Sequence, residues 1–180
     1  TIANGSILTG SIYGGDGTDT LDLGNYVTDL SITLSGTGTI SGMAGSISGT
    51  VDPITGTFDD IDVLATGVGG DTLIGVDAQA DWTIDSVDIY TDFLTGQDLD
   101  FTGIENLTGG NDIDEFTFAD GEGIEGNVDG GAGFDRLNVS GYSTPFDFLV
   151  GGEGSVDGFD GMTTGTPNNP ITGTFDNINW

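Results

Sequence analysis

An all-β protein wound as a parallel β-solenoid, with coils of about 21 residues and helix nearly absent, is the fold class this sequence predicts. Three observations point there. Gly-Gly pairs open at Gly109, Gly130 and Gly151, two successive steps of 21 residues, and Gly14 leads after the same interval to Ser35-Gly36. Apolar residues alternate with Ser and Thr over short runs, the period of a strand with one buried face. No window of a dozen residues holds a helical apolar stripe free of glycine. Stacked coils that turn at Gly and Asp would give short strands to parallel sheets.

The elements follow in chain order. Gly14 to Gly17 is a glycine turn, and Leu21 begins the strand after it. Ile32 and Leu34 alternate with Ser31, Thr33 and Ser35 in the next strand. Phe58-x-x-Ile61 leads on to Leu64 and a turn at Gly69-Gly70. Trp82 and Ile84, then Val87 and Ile89, read as two more strands, and Phe101-x-x-Ile104 runs through Leu107 to the turn at Gly109. Phe116 and Phe118 alternate before the Gly130 turn, and Phe175-x-x-Ile178 closes the series. Large apolar residues at fixed offsets within a repeat are expected to be stacked core.

A longer period contains the short one. At an offset of 116, with one added residue before Pro170, 11 of the 12 glycines in the first copy fall on glycines in the second. Tyr26 falls on Tyr142, and Pro53-Ile54-Thr55-Gly56-Thr57-Phe58-Asp59 falls on Pro170-Ile171-Thr172-Gly173-Thr174-Phe175-Asp176. Residues 1–116 therefore read as one full repeat, cut out of phase, and 117–180 as the first half of the next. The expectation is a continuous stretch of a longer tandem array, with neighbouring repeats as its first partners.

Composition narrows the function classes. Of 180 residues, 30 are acidic and one is basic, for a formal charge of −29, and there is no His and no Cys. Such a polyanion is not drawn to nucleic acid or to anionic lipid by charge. Thiolate chemistry, disulfides and a His-assisted nucleophile are excluded. No apolar run approaches the length of a membrane span. The sole base, Arg136, stands where the other copy has Thr20, so the repeat does not require it as a catalytic group. No segment breaks the repeat as an inserted active site would, and no enzyme is expected. Aspartate outnumbers glutamate 25 to 5, which suits turns and oxygen-ligand sites better than helices.

Those aspartates recur in one motif. Gly14-Gly15-Asp16-Gly17-Thr18-Asp19-Thr20-Leu21-Asp22 fits the calcium-binding nonapeptide G-G-x-G-x-D-x-U-x at every defined position, as does Gly130 to Asn138. Gly109 to Thr117 fits with Asp112 in place of the third glycine. Glycines let backbone carbonyls converge and Asp adds charged oxygen, the donor type that calcium takes. The candidate metal ligands are Asp112, Asp114 and Asp135, then Asp16 and Asp19, with Ca2+ as the ion. The competing reading is that each Asp caps its own tight turn without metal.

With these motifs the chain resembles the tandem-repeat surface proteins and giant adhesins of Gram-negative bacteria, which carry RTX-like turns. The resemblance rests on Phe101 to Gly110 and on Asp129-Gly130-Gly131-Ala132-Gly133-Phe134-Asp135. It implies an extracellular β-solenoid or β-roll at the cell surface that stiffens on binding calcium. In that group the nonapeptides follow one another directly, whereas here each stands alone and only the Gly109 and Gly130 turns are one coil apart. The expected role is a structural stalk, fibre or surface-layer module. The alternatives are a glycan- or ice-binding module, marked by exposed aromatic or Thr ladders, and a self-assembling filament of copies of this chain. A Thr ladder fails early, since Thr18 and Thr39 are followed one step on by Asp60.

Overall fold

A computed structural model describes residues 1–165 and 169–179. Its strands are β1 (Ile12–Tyr13), β2 (Thr20–Asp22), β3 (Leu30–Thr37), β4 (Met43–Gly49), β5 (Thr57–Ile61) and β6 (Val63–Ala65). There follow β7 (Thr72–Ile74), β8 (Ala80–Ile84), β9 (Asp88–Asp92), β10 (Asp98–Thr102), β11 (Asn106–Thr108) and β12 (Asp114–Phe118). The last five are β13 (Val128–Asp129), β14 (Arg136–Asn138), β15 (Asp147–Glu153), β16 (Phe159–Thr164) and β17 (Thr174–Ile178). No helix occurs among the described residues.

The strands form two mixed sheets, and this overturns the parallel solenoid. One sheet of ten runs β1-β5-β4-β3-β7-β11-β13-β17-β16-β15, and one of seven runs β14-β12-β8-β9-β10-β6-β2. Antiparallel meanders β3-β4-β5, β8-β9-β10 and β15-β16-β17 interrupt the parallel pairings. The 21-residue coil survives at one step, where Leu107 pairs with Val128 and Phe116 with Leu137. Gly151, expected at the next coil turn, lies inside β15, where its antiparallel register with β16 shifts between Val150 and Gly152. Alternating side chains are shared by parallel and antiparallel strands, so the pattern carried no information on direction.

Hairpin turns produce the reversals. Gly42, between β3 and β4, has φ 59°, and a Cβ there would lie 2.5 Å from the Ile61 carbonyl oxygen. Gly158, its counterpart between β15 and β16, has φ 54° and meets Ile178 in the same way. Glycine takes this conformation at no steric cost, and the close approach leaves no room for a Cβ. Val87, expected in a strand, lies in the turn before β9 and is exposed, and Tyr90 and Asp92 are the inward residues of that strand.

Positions 116 or 117 apart occupy equivalent places. The order β1-β5-β4-β3 recurs as β13-β17-β16-β15, with the same register shifts after Leu34 and Val150 and after Met43 and Phe159. Both sheets advance by six strands between equivalents, from β1 to β13 in one and from β2 to β14 in the other. All three Phe-x-x-Ile boxes are buried, and one core cluster joins both sheets. Within it, on the seven-stranded sheet, Trp82 stacks on Phe116 with centroids 5.3 Å apart and meets the edges of Tyr90 and Phe101.

The tyrosine anchors recur as well. Tyr26 donates its hydroxyl to the Ser6 carbonyl, and Tyr142 donates to that of Glu122. Tyr26 is buried and Tyr142 only partly so. Tyr26→Phe should therefore cost about 1 kcal/mol, or roughly 2–4 °C in a thermal melt, and Tyr142→Phe less. Equal losses, or none, would remove the anchoring role.

Candidate functional site

Glycine turns stack edge to edge through their backbones. Gly14 N–H donates to the Asp59 carbonyl at 2.9 Å, Gly109 to Asp129 at 2.8 Å and Gly130 to Asp176 at 2.9 Å. A Cβ at Gly109 or Gly130 would lie 2.3 Å from the carbonyl oxygen of Gly130 or Asn177, so close layering requires glycine there. The aspartate that follows each pair turns back over this contact.

The result is a ladder of side-chain caps. Asp114 N–H donates to Asp135 Oδ1 at 2.9 Å, and Asp135 N–H donates to Asn179 Oδ1 at 3.0 Å. In the first copy Asp19 N–H donates to Asp62 Oδ2 at 2.8 Å, the equivalent rung. A parallel ladder runs from Leu30 N–H to Asp71 Oδ1, and from Asp71 N–H to Glu105 Oε2. Each carboxylate satisfies a backbone donor in the adjacent layer, which a buried sheet end otherwise leaves unpaired.

Asp114 and Asp135 are the two candidates that the fold brings together, and both are fully buried. Asp114 also accepts from Gly110 N–H at 2.8 Å and from Trp82 Nε1 at 3.1 Å. Burial pushes the Asp114 carboxyl up to about 7, and the neighbouring charges of Asp135 and Asp112 add to the effect. Burial pushes Asp135 up to about 6, with Asp157, Asp129 and Asp112 adding repulsion. Asp112 is exposed and bonds its own turn, through Ile113 N–H. Asp16 is exposed too. Asp16 and Asp19 belong to the turn before β2, while Asp135 precedes β14, and these strands are opposite ends of the seven-stranded sheet. The five candidates therefore form no single centre.

One detail distinguishes the turns that match the nonapeptide fully. Gly15 and Gly131 have φ 92° and 87°, and Gly131 N–H is directed to Asp129 Oδ1 at 3.0 Å. In the Gly109 turn the corresponding amide, Gly110, bonds Asp114 instead. Asp19 Oδ2 and Asp135 Oδ2, equivalent atoms in the two copies, are left buried without a hydrogen-bond partner. Such an oxygen suits either a proton or a cation. Yet among the described residues no three metal-type side chains converge at one point. Calcium's six to eight oxygens would have to come largely from backbone carbonyls and water.

Sequence reasoning missed Asp60 and Asn177, the buried pair with φ 57° and 56°. Asp60 Oδ1 accepts from Ile40 N–H at 2.6 Å and from Ser41 N–H, and Asn177 Oδ1 accepts from Val156 N–H at 2.7 Å and from Asp157 N–H. Their signal was the Asp-to-Asn exchange between copies, repeated at Asp62 and Asn179. The exchange keeps the oxygen that accepts these backbone N–H groups and drops the charge, so the cap does not depend on a carboxylate.

Arg136 lies 3.7 Å from Glu115 and 5.4 Å from the Phe134 ring centre, on the surface. Among the described residues no helix is long and apolar enough to cross a membrane. Compared with protein-family profiles, curated proteins and solved structures, the chain matches none.

Proposed function

We propose that the chain is a structural extracellular repeat module, a stalk, fibre or surface-layer element of a secreted bacterial adhesin-like protein, stabilised by calcium at its Gly-Asp turns. The observation that carries this reading is the common six-strand advance of both sheets between equivalent strands. Two sheets with one period can continue through further copies without a mismatch between them. An acidic coat with the aromatic core buried suits a solvated rod. The alternative of a ligand-binding face finds no aromatic ladder among the described residues, where the exposed Tyr13, Phe93, Phe134 and Phe159 lie on separate strands and turns.

Six strands at about 4.8 Å each add about 29 Å per repeat. Chains carrying one, two and three copies of the 116-residue unit should therefore gain about that length per copy in small-angle X-ray scattering. A maximum dimension that stays constant, or that grows as a flexible chain does, would overturn the rod.

A further inference from the structure

The geometry points to an unfilled docking edge formed by β14 and β15, whose occupant is another copy of the segment Val63–Ile74, as the repeat placed next in an array supplies it. This rests on the array reading and names the surface and the segment by which the array grows. In the first copy that segment is already seated. β6 pairs in parallel with β2, Leu21 beside Leu64, and β7 pairs in parallel with β3, Ile32 beside Leu73. One stretch of chain thus closes the edges of both sheets. The equivalents of β2 and β3 are β14 and β15, and among the described residues these are the last strands of their sheets.

Side-chain exposure follows the same division. Leu34 is 3% exposed and its equivalent Val150 is 53%. Met43 is 0% exposed and its equivalent Phe159 is 43%. Leu30 is buried, and Phe146 in its place is half-buried. Leu149, on the same strand, is also exposed. An edge strand with large apolar residues beside it is a template for strand addition. The occupant's chemistry is equally defined. It offers one apolar residue to each sheet and a carboxylate at the Asp71 position for the amide of Phe146, as Asp71 serves Leu30. One bond would be lost, because Asp29, which accepts from Gly70 N–H, is replaced by Pro145. A second molecule of the same chain does not provide this segment, since its own β6 and β7 are each paired on both sides.

The test compares this chain with a version extended by a second copy of residues 64–116, using amide hydrogen exchange read across 136–138 and 147–153. Tethering keeps the local concentration high. Exchange in both stretches should slow at least about tenfold. The slowing should disappear when the added copy carries Leu73→Asp and Leu64→Asp, with the original copy unchanged. Unchanged exchange in the extended chain overturns the docking edge, and so does protection that survives those substitutions. Concentration-dependent protection of β15 in the unextended chain, with dimers in sedimentation, also overturns it, by making a second molecule the occupant. If length still grows by about 29 Å per copy while β15 stays unprotected, docking fails and the array reading stands.

Discussion

Trp82→Ala should lower stability by about 4 kcal/mol or more, the largest loss from any single side chain in this core. The indole is fully buried, stacked on Phe116 and flanked by Tyr90 and Phe101, so its removal empties a space lined by rings from three other strands. Truncations of buried aromatics to alanine cost about 3–5 kcal/mol. A second loss adds to it. Trp82 Nε1 donates to Asp114 Oδ1, and a buried carboxylate that loses a donor costs about 1–3 kcal/mol more. Trp82→Phe separates the two terms, since it keeps most of the packing and drops the N–H. It should cost about 2 kcal/mol and raise the Asp114 carboxyl further, because the lost bond favours the charged form. Urea unfolding followed by circular dichroism reads both variants. A Trp82→Ala midpoint within about 1 kcal/mol of the parent would mean that the stacked cluster of Trp82, Phe116, Tyr90 and Phe101 does not hold the core.

What the sequence disclosed and what it concealed divide along a physical line. Trp82, Phe116, Phe118 and the Phe-x-x-Ile boxes were recognisable as core because burial is written in side-chain polarity and spacing. Strand direction is not written there. Met43 to Gly49 reads the same whether its neighbour runs with it or against it, and the reversal depends on Gly42 at φ 59°. Gly-Gly spacing misled for a related reason. Gly109 and Gly130 turn the chain from one sheet to the other, whereas Gly151 and Gly152 sit at a bulge within a strand. A glycine pair signals close backbone approach and does not say what approaches. The site shows the same limit. Asp114 and Asp135 stand out in the sequence by their motif, but the rung that joins them, backbone amide to neighbouring carboxylate, appears only once the layers are stacked.

Stability should peak near pH 4 and fall by on the order of 3 kcal/mol by pH 8, roughly 6–12 °C in melting temperature, when calcium is chelated. Burial raises Asp114 to about 7 and Asp88 and Asp135 to about 6, while unfolded aspartates titrate near 4. The folded chain therefore holds extra protons between these values. Their contribution is complete below about pH 4 and is lost as pH rises through 6 to 7. Asp120 acts in the opposite sense, held down to about 2 by the Ser143 hydroxyl and amide, but its contribution fades only as pH falls through 2. It leaves the window from 4 to 8 unopposed. Asp135→Asn keeps the acceptor for Asp114 N–H and removes the charge at the unpartnered oxygen. It should melt higher than the parent at pH 8 in chelator, by about 1–2 kcal/mol, and equal it at pH 4. Calcium decides what the ionised oxygen is for. If the turns hold the ion, calcium raises the parent's melting temperature at pH 8 with free concentration, and Asp19→Asn and Asp135→Asn each blunt the rise. Identical melts in calcium and chelator would remove the metal and leave the aspartates as caps, as the Asp60–Asn177 and Asp62–Asn179 exchanges already allow at two neighbouring rungs.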